Sequence, residues 1–105
     1  MKLTQILQLD DGSEPFTEWL ESLELRVQAR VSAFIDRVAL GGGKKNVRAL
    51  GEGVYEIKID IGPGYRVYFG EDGKRIILLL VGGDKGTQAK DIFTAKRYWR
   101  QYEKK

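Results

Sequence analysis

The sequence predicts an α+β fold in which helices pack on one mainly antiparallel sheet. Three observations predict it. Two apolar stripes at helical spacing precede Gly41-Gly42-Gly43, three strand-like runs broken by glycine-rich turns follow, and another helical stripe closes the chain. The predicted order is β-α-α-β-β-β-α. At 105 residues the chain has the size of one domain around one core, taken as residues 1–105.

Leu3 to Leu9 alternates loosely and stops at Asp10-Asp11-Gly12, as a first strand and its turn would. Ser13 offers an N-cap and Pro15 suits a first helical turn. Phe16, Trp19, Leu20 and Leu23 then recur at helical spacing to about Leu23. A longer second helix carries the stripe Val27, Val31, Phe34, Ile35 and Val38 and ends at the glycine triplet. Past Gly51-Glu52-Gly53, strand-like runs span Val54 to Ile61, Tyr65 to Phe69 and Arg75 to Val81, the last apolar on both faces and so interior to the sheet. Gln88 to Tyr102 places Ile92, Ala95, Tyr98, Trp99 and Tyr102 at intervals of three and four, a closing helix with a basic outer face.

Composition removes whole classes of chemistry. The chain has no cysteine and no histidine, so disulfides, thiolate nucleophiles, imidazole catalysis and the commonest zinc ligands are out. Neither a metal nor a cofactor is expected. The longest apolar run, Ile76 to Val81, is far short of a membrane span, and Met1 to Asp11 lacks a signal-peptide core; the expected compartment is the cytoplasm. Net charge is only +3, but Met1 to Leu25 holds six acids against Lys2, whereas Asp84 to Lys105 holds seven cations against three acids. Lys44, Lys45 and Arg48 form a second basic cluster, and such polarity fits either a polyanionic partner or a solvated basic surface.

Register decides which polar residues of the central hairpin share a face. A three-residue loop at Gly62-Pro63-Gly64 would pair Ile59 with Val67, Asp60 with Arg66 and Lys58 with Tyr68, setting apolar face against apolar face. Glu56, Lys58, Arg66 and Tyr68 would then share the face away from the helices. That set suits metal-independent cleavage of RNA by its own 2′-hydroxyl. Arg66 would fork onto phosphate, Lys58 or Glu56 would act as base, and Tyr68 would stack on a base or donate a proton. A surface Asp60–Arg66 pair with Lys58 as a solvated charge is the plainer alternative.

The bend Val81-Gly82-Gly83-Asp84-Lys85-Gly86-Thr87-Gln88 offers backbone N–H groups beside a helix start, suited to a phosphate. Its spacing is not that of a nucleotide-binding loop, which excludes nucleotide hydrolysis. A flexible connection with Thr87 as N-cap is the plainer reading, and the residues by themselves favour it.

Gly53-Val54-Tyr55-Glu56-Ile57-Lys58-Ile59, Gly62-Pro63-Gly64-Tyr65-Arg66-Val67-Tyr68-Phe69, Leu78-Leu79-Leu80-Val81-Gly82-Gly83-Asp84-Lys85 and Gln88 through Asp91-Ile92 follow in this order, with Phe16, Trp19, Leu20 and Ala95 to Trp99 outside them. The chain resembles the HigB-like addiction module killer branch of the RelE/ParE superfamily, over nearly its whole length. The resemblance implies a RelE-like fold, an antitoxin partner bearing a helix-turn-helix domain, and endonucleolytic cleavage of messenger RNA, often on the ribosome. Lys58 and Arg66 match the basic strand residues of that family, and Lys85 falls near the cation after its last strand; Lys44, Lys45, Arg48 and Lys90 complete the expected RNA-binding set with Tyr68. Where RelE-type enzymes place a Tyr or His near the last helix, this chain has Lys90 or Asp91, which leaves the acid and base open. Two other functions fit: a ParE-like inhibitor of DNA gyrase, and a non-catalytic module that binds antitoxin or nucleic acid.

Overall fold

The computed structural model describes residues 2–73 and 76–104, Ile76 by its backbone alone. Along the chain run β1 (Leu3–Ile6), α1 (Pro15–Glu21), α2 (Leu25–Ala39), β2 (Val47–Gly51), β3 (Val54–Ile59), β4 (Tyr65–Asp72), β5 (Ile76–Asp84) and α3 (Gln88–Glu103). Among the described residues the fold is thus α+β, with three α-helices and a sheet ordered β1-β5-β4-β3-β2. Every pairing is antiparallel except that of β1 with β5. The expected strand start at Arg75 and the cation Lys105 lie outside the described residues.

One strand was not foreseen. Val47–Gly51 is short and carries only Val47 and Leu50 as large apolar side chains, yet it forms the sheet's edge because Glu52 and Gly53 turn the chain back on itself. Both adopt positive φ, 58° and 84°, the backbone of a tight hairpin turn. Two smaller expectations also change. Ser13 does not cap α1, whose N-cap position is Glu14, and α1 stops at Glu21 rather than Leu23.

The sheet is covered on both faces, where the sequence suggested one open face. Phe16, Val31, Ile35 and Ala39 from α1 and α2 pack on Ile57, Ile59, Val67, Phe69, Ile77 and Leu79. Ala95 and Trp99 from α3 pack with Leu7 on Val54, Tyr68, Leu78 and Leu80 of the other face. Each fully buried aliphatic side chain contributes about 1.5–3 kcal/mol, so both layers stabilise the fold substantially. β5 is interior, as its two-sided apolar run requires.

A bulge in β5 sets the geometry at its far end. Tyr68 pairs with Val81 and Phe69 with Leu79, so Leu80 is the extra residue and the facing of later residues reverses. Gly82 therefore lies under the Trp19 indole and Gly83 under the Asp91 carboxylate; a Cβ on either would come within 2.2 Å of them.

Candidate functional site

The β3–β4 hairpin puts Lys58 opposite Arg66 and Glu56 opposite Tyr68. The connection is five residues, Asp60 to Gly64, and not the three expected. Its turn closes between Ile61 and Gly64, through Gly64 N–H donating to the Ile61 carbonyl at 2.9 Å, with Gly62 and Gly64 at positive φ. The register moves by two residues on β3, which preserves the alternation, so the four polar side chains do share a face. Asp60 is left outside the ladder and pairs with Lys58 at 3.7 Å instead of with Arg66.

That face is not open, because α3 lies across it. Tyr68 is fully buried, so it presents no ring to a nucleic-acid base, and the stacking role expected for it is corrected. Its hydroxyl makes no hydrogen bond of ordinary geometry. Burial first, then the neighbouring carboxylates of Glu56 and Asp91, push its pKa well above the usual phenol value.

Glu56 is enclosed as well. Gln88 Nε2 donates to its Oε2 at 2.9 Å, Arg48 Nη2 reaches its Oε1 at 3.2 Å, and Arg66 Nε stands 3.7 Å from Oε2. A carboxylate so engaged holds the surrounding cations in place. Arg66 is likewise buried, 6% exposed, with Nη1 donating to the Gly64 carbonyl at 3.1 Å. Its guanidinium is a fixed charge at the back of the site and not an open fork.

In front of it lies an open recess of about 370 Å³, walled by Lys45, Arg48, Glu56, Lys58, Arg66 and Gln88. Lys45 comes from a 3₁₀ turn, Lys44–Asn46, which Asn46 ties to β3 by donating to the Lys58 carbonyl at 3.0 Å. Arg48 comes from β2, directly opposite Glu56. Arg48 and Lys58 are more than half exposed. Four cations thus face one enclosed carboxylate, and the excess positive charge suits a phosphate backbone. Lys85 is exposed and outside the recess walls, with its Cβ on the Gly64 side of Arg66: a Cβ on Gly64 would sit 3.8 Å from Lys85 Cβ and 3.4 Å from Arg66 Nη1.

The remaining expected residues are elsewhere. Lys44 borders a separate hollow with Val38, Tyr55 and Phe69 on the α2 side, and Lys90 is exposed on α3, outside the recess walls. The glycine-rich bend is not a loose connection. Asp84 accepts from Gly86 N–H at 2.8 Å, and Thr87 closes a capping box around the 3₁₀ turn Lys85–Thr87 while its hydroxyl also donates to Asp91. Gln88 was missed as a site residue; its position at the start of α3, directly after the bend, was the available signal. Among the described residues no cluster of three or more carboxylates gathers to hold a metal ion, and no helix is long and apolar enough to cross a membrane.

Comparison with known proteins places this arrangement in a family. A protein of Haemophilus influenzae described as uncharacterized is 42% identical over 82 residues, 77% of this chain and 82% of that protein. The family model described as "Phage derived protein Gp49-like (DUF891)" matches residues 18–100, which include every wall residue of the recess. The chain therefore belongs to the Gp49-like phage-derived family, which is consistent with the toxin of a toxin–antitoxin system.

Proposed function

We propose that this protein is the toxin of a type II toxin–antitoxin pair, HigB-like within the RelE/ParE superfamily, and that it cleaves messenger RNA, on the ribosome or free. The observation that carries the proposal is the recess, in which Lys45, Arg48, Lys58 and Arg66 converge on a volume with a single enclosed carboxylate. Arg48 and Lys58 hold the scissile phosphate, while Arg66, paired with Glu56 and bonded to the Gly64 carbonyl, adds charge from behind. The RNA 2′-oxygen bonds to phosphorus, the bond from phosphorus to the 5′-oxygen breaks, and the negative phosphorane between is stabilised by the surrounding cations. The amines of Lys58 and Lys85 are the accessible groups for moving the two protons. Glu56 and Gln88 position the guanidinium groups. The partner is a helix-turn-helix antitoxin, and the setting is the cytoplasm, where translation occurs.

The test is incubation of the purified protein, freed of antitoxin, with messenger RNA on translating ribosomes and in free solution. Fragments ending in a 2′,3′-cyclic phosphate are expected in at least one of them. Intact RNA in both would overturn the nuclease reading. A second reading, a gyrase-binding toxin without chemistry, draws on the enclosure of Glu56 and the burial of Tyr68, which leave few groups for proton transfer. Under it, a supercoiling assay traps cleaved DNA while RNA survives.

A further inference from the structure

On the exposed side of α3, Lys90, Phe93, Arg97, Arg100 and Lys104 recur at intervals of three and four; Arg97 lies over the Tyr98 ring, and Arg97 and Lys104 border a hollow that Asp10 and Asp11 also line. The helix buries Asp91, Ala95 and Trp99, and this second row lies opposite them. From the first to the last of the row the helix rises about 21 Å. Phe93 sits within it 64% exposed, a large apolar ring with no place in either core. Arg100 reaches Glu52 Oε1 at 3.4 Å, with about half of each side chain exposed, a screened contact that a phosphate can replace. The row begins within one turn of Gln88, at the wall of the recess.

We infer that this ridge is a second contact surface for single-stranded RNA, along which the strand leaving the recess lays its phosphates on the four cations and stacks one base on Phe93. The inference rests on the proposal that the protein acts on RNA. Its chemistry separates it from a protein-docking face. A helix that docks in a protein groove presents apolar anchors at successive turns, whereas this ridge has one, set among cations. One aromatic platform within a basic track is the pattern of single-strand recognition, in which cations follow the backbone and a ring takes a base of any identity.

The experiment is fluorescence anisotropy with a labelled single-stranded RNA of twelve nucleotides carrying 2′-O-methyl groups, which bind but cannot be cut. Five proteins are compared with the wild type across a salt series: Phe93→Ala, Phe93→Trp, the double variant Arg97→Gln/Arg100→Gln, Arg48→Gln in the recess, and Arg30→Gln, a charge control on α2. Loss of stacking should weaken Phe93→Ala by roughly fivefold or more at every salt concentration, and Phe93→Trp should bind like the wild type. The double variant should lower the slope of log affinity against log salt by about 0.7 for each phosphate that no longer meets a cation. Arg30→Gln should change neither. If the ridge variants bind as the wild type does while Arg48→Gln binds poorly, the ridge is overturned and the recess stands. If they bind RNA normally but no longer bind a co-purified protein, the ridge serves a protein partner and the inference is equally overturned. If the wild type itself does not bind the oligonucleotide, the RNA reading falls and the ridge with it.

Discussion

Glu56 and Arg66 lie diagonally across adjacent strands inside the protein, Oε2 to Nε at 3.7 Å, with 4% and 7% of their side chains exposed. Glu56 is the counter-charge that permits Arg66 to be buried, and Arg66 shares the neutralisation of Glu56 with Arg48, because an unpaired ion there would have lost its hydration without replacement. Glu56→Ala should therefore lower folding stability by about 3–5 kcal/mol. Adding Arg66→Ala should cost much less than the sum of the two single changes. Urea unfolding of the two single variants and the double variant checks this; strictly additive losses would show that the pair does not act as one unit.

Arg48 and Lys58 are the open cations of the same site. Arg48→Gln and Lys58→Gln should each reduce RNA cleavage about tenfold or more, equivalent to ~1.4 kcal/mol of transition-state stabilisation. Lys44→Gln, on the α2 side of the sheet, should leave the rate unchanged. Single-turnover cleavage rates measured in parallel decide the matter, and an equal loss in Lys44→Gln would point to diffuse charge and not a defined recess.

Tyr68 carries a pH dependence whose sign follows from its surroundings. Burial and the nearby carboxylates of Glu56 and Asp91 raise its pKa in the folded protein, so the fold favours the neutral phenol. Stability from this source is complete below the unfolded value, near 10.0, and is lost as pH rises through the folded one. Wild-type stability should fall more steeply above pH 10.0 than that of Tyr68→Phe. Tyr102, whose pKa its hydrogen bond to Asp72 also raises, is present in both proteins and cancels from the comparison. At neutral pH Tyr68→Phe should be within about 1 kcal/mol of the wild type, since its hydroxyl makes no hydrogen bond of ordinary geometry. Parallel pH profiles of the two proteins would refute the assignment.

Gly70 lies beneath the Trp99 indole, where an added Cβ would come within 2.2 Å of the ring. Trp99 is 3% exposed and central to the α3 layer, so it has no room to retreat. Gly70→Ala should cost about 1–3 kcal/mol and lower the thermal midpoint by at least roughly 4 °C. Differential scanning calorimetry tests this; an unchanged midpoint would mean that α3 slides freely on the sheet.

Most elements were legible in the sequence because their signals are local. The stripe of Val27, Val31, Phe34, Ile35 and Val38 defines a helix through its own period, and the Ile57, Ile59, Val67 and Phe69 alternation defines a hairpin face that tolerates a register move by two residues. β2 was hidden because Val47 to Gly51 carries little apolar signal; its pairing with β3 across the Glu52-Gly53 turn makes it a strand. Gln88 was hidden for a related reason, since its hydrogen bond to Glu56 spans 32 residues.

By itself the sequence determined the α+β class and the convergence of Glu56, Lys58, Arg66 and Tyr68 on one face, because side-chain alternation along a strand is a property of the strand alone. Only the tertiary structure decided that α3 covers that face, enclosing Tyr68 and leaving Arg66 buried beside Glu56, while β2 brings Arg48 to the opening. The apolar stripe of Ala95 and Trp99 specifies that α3 must bury one side, but which sheet face receives it depends on what the other helices already cover, and that is a property of the assembled whole.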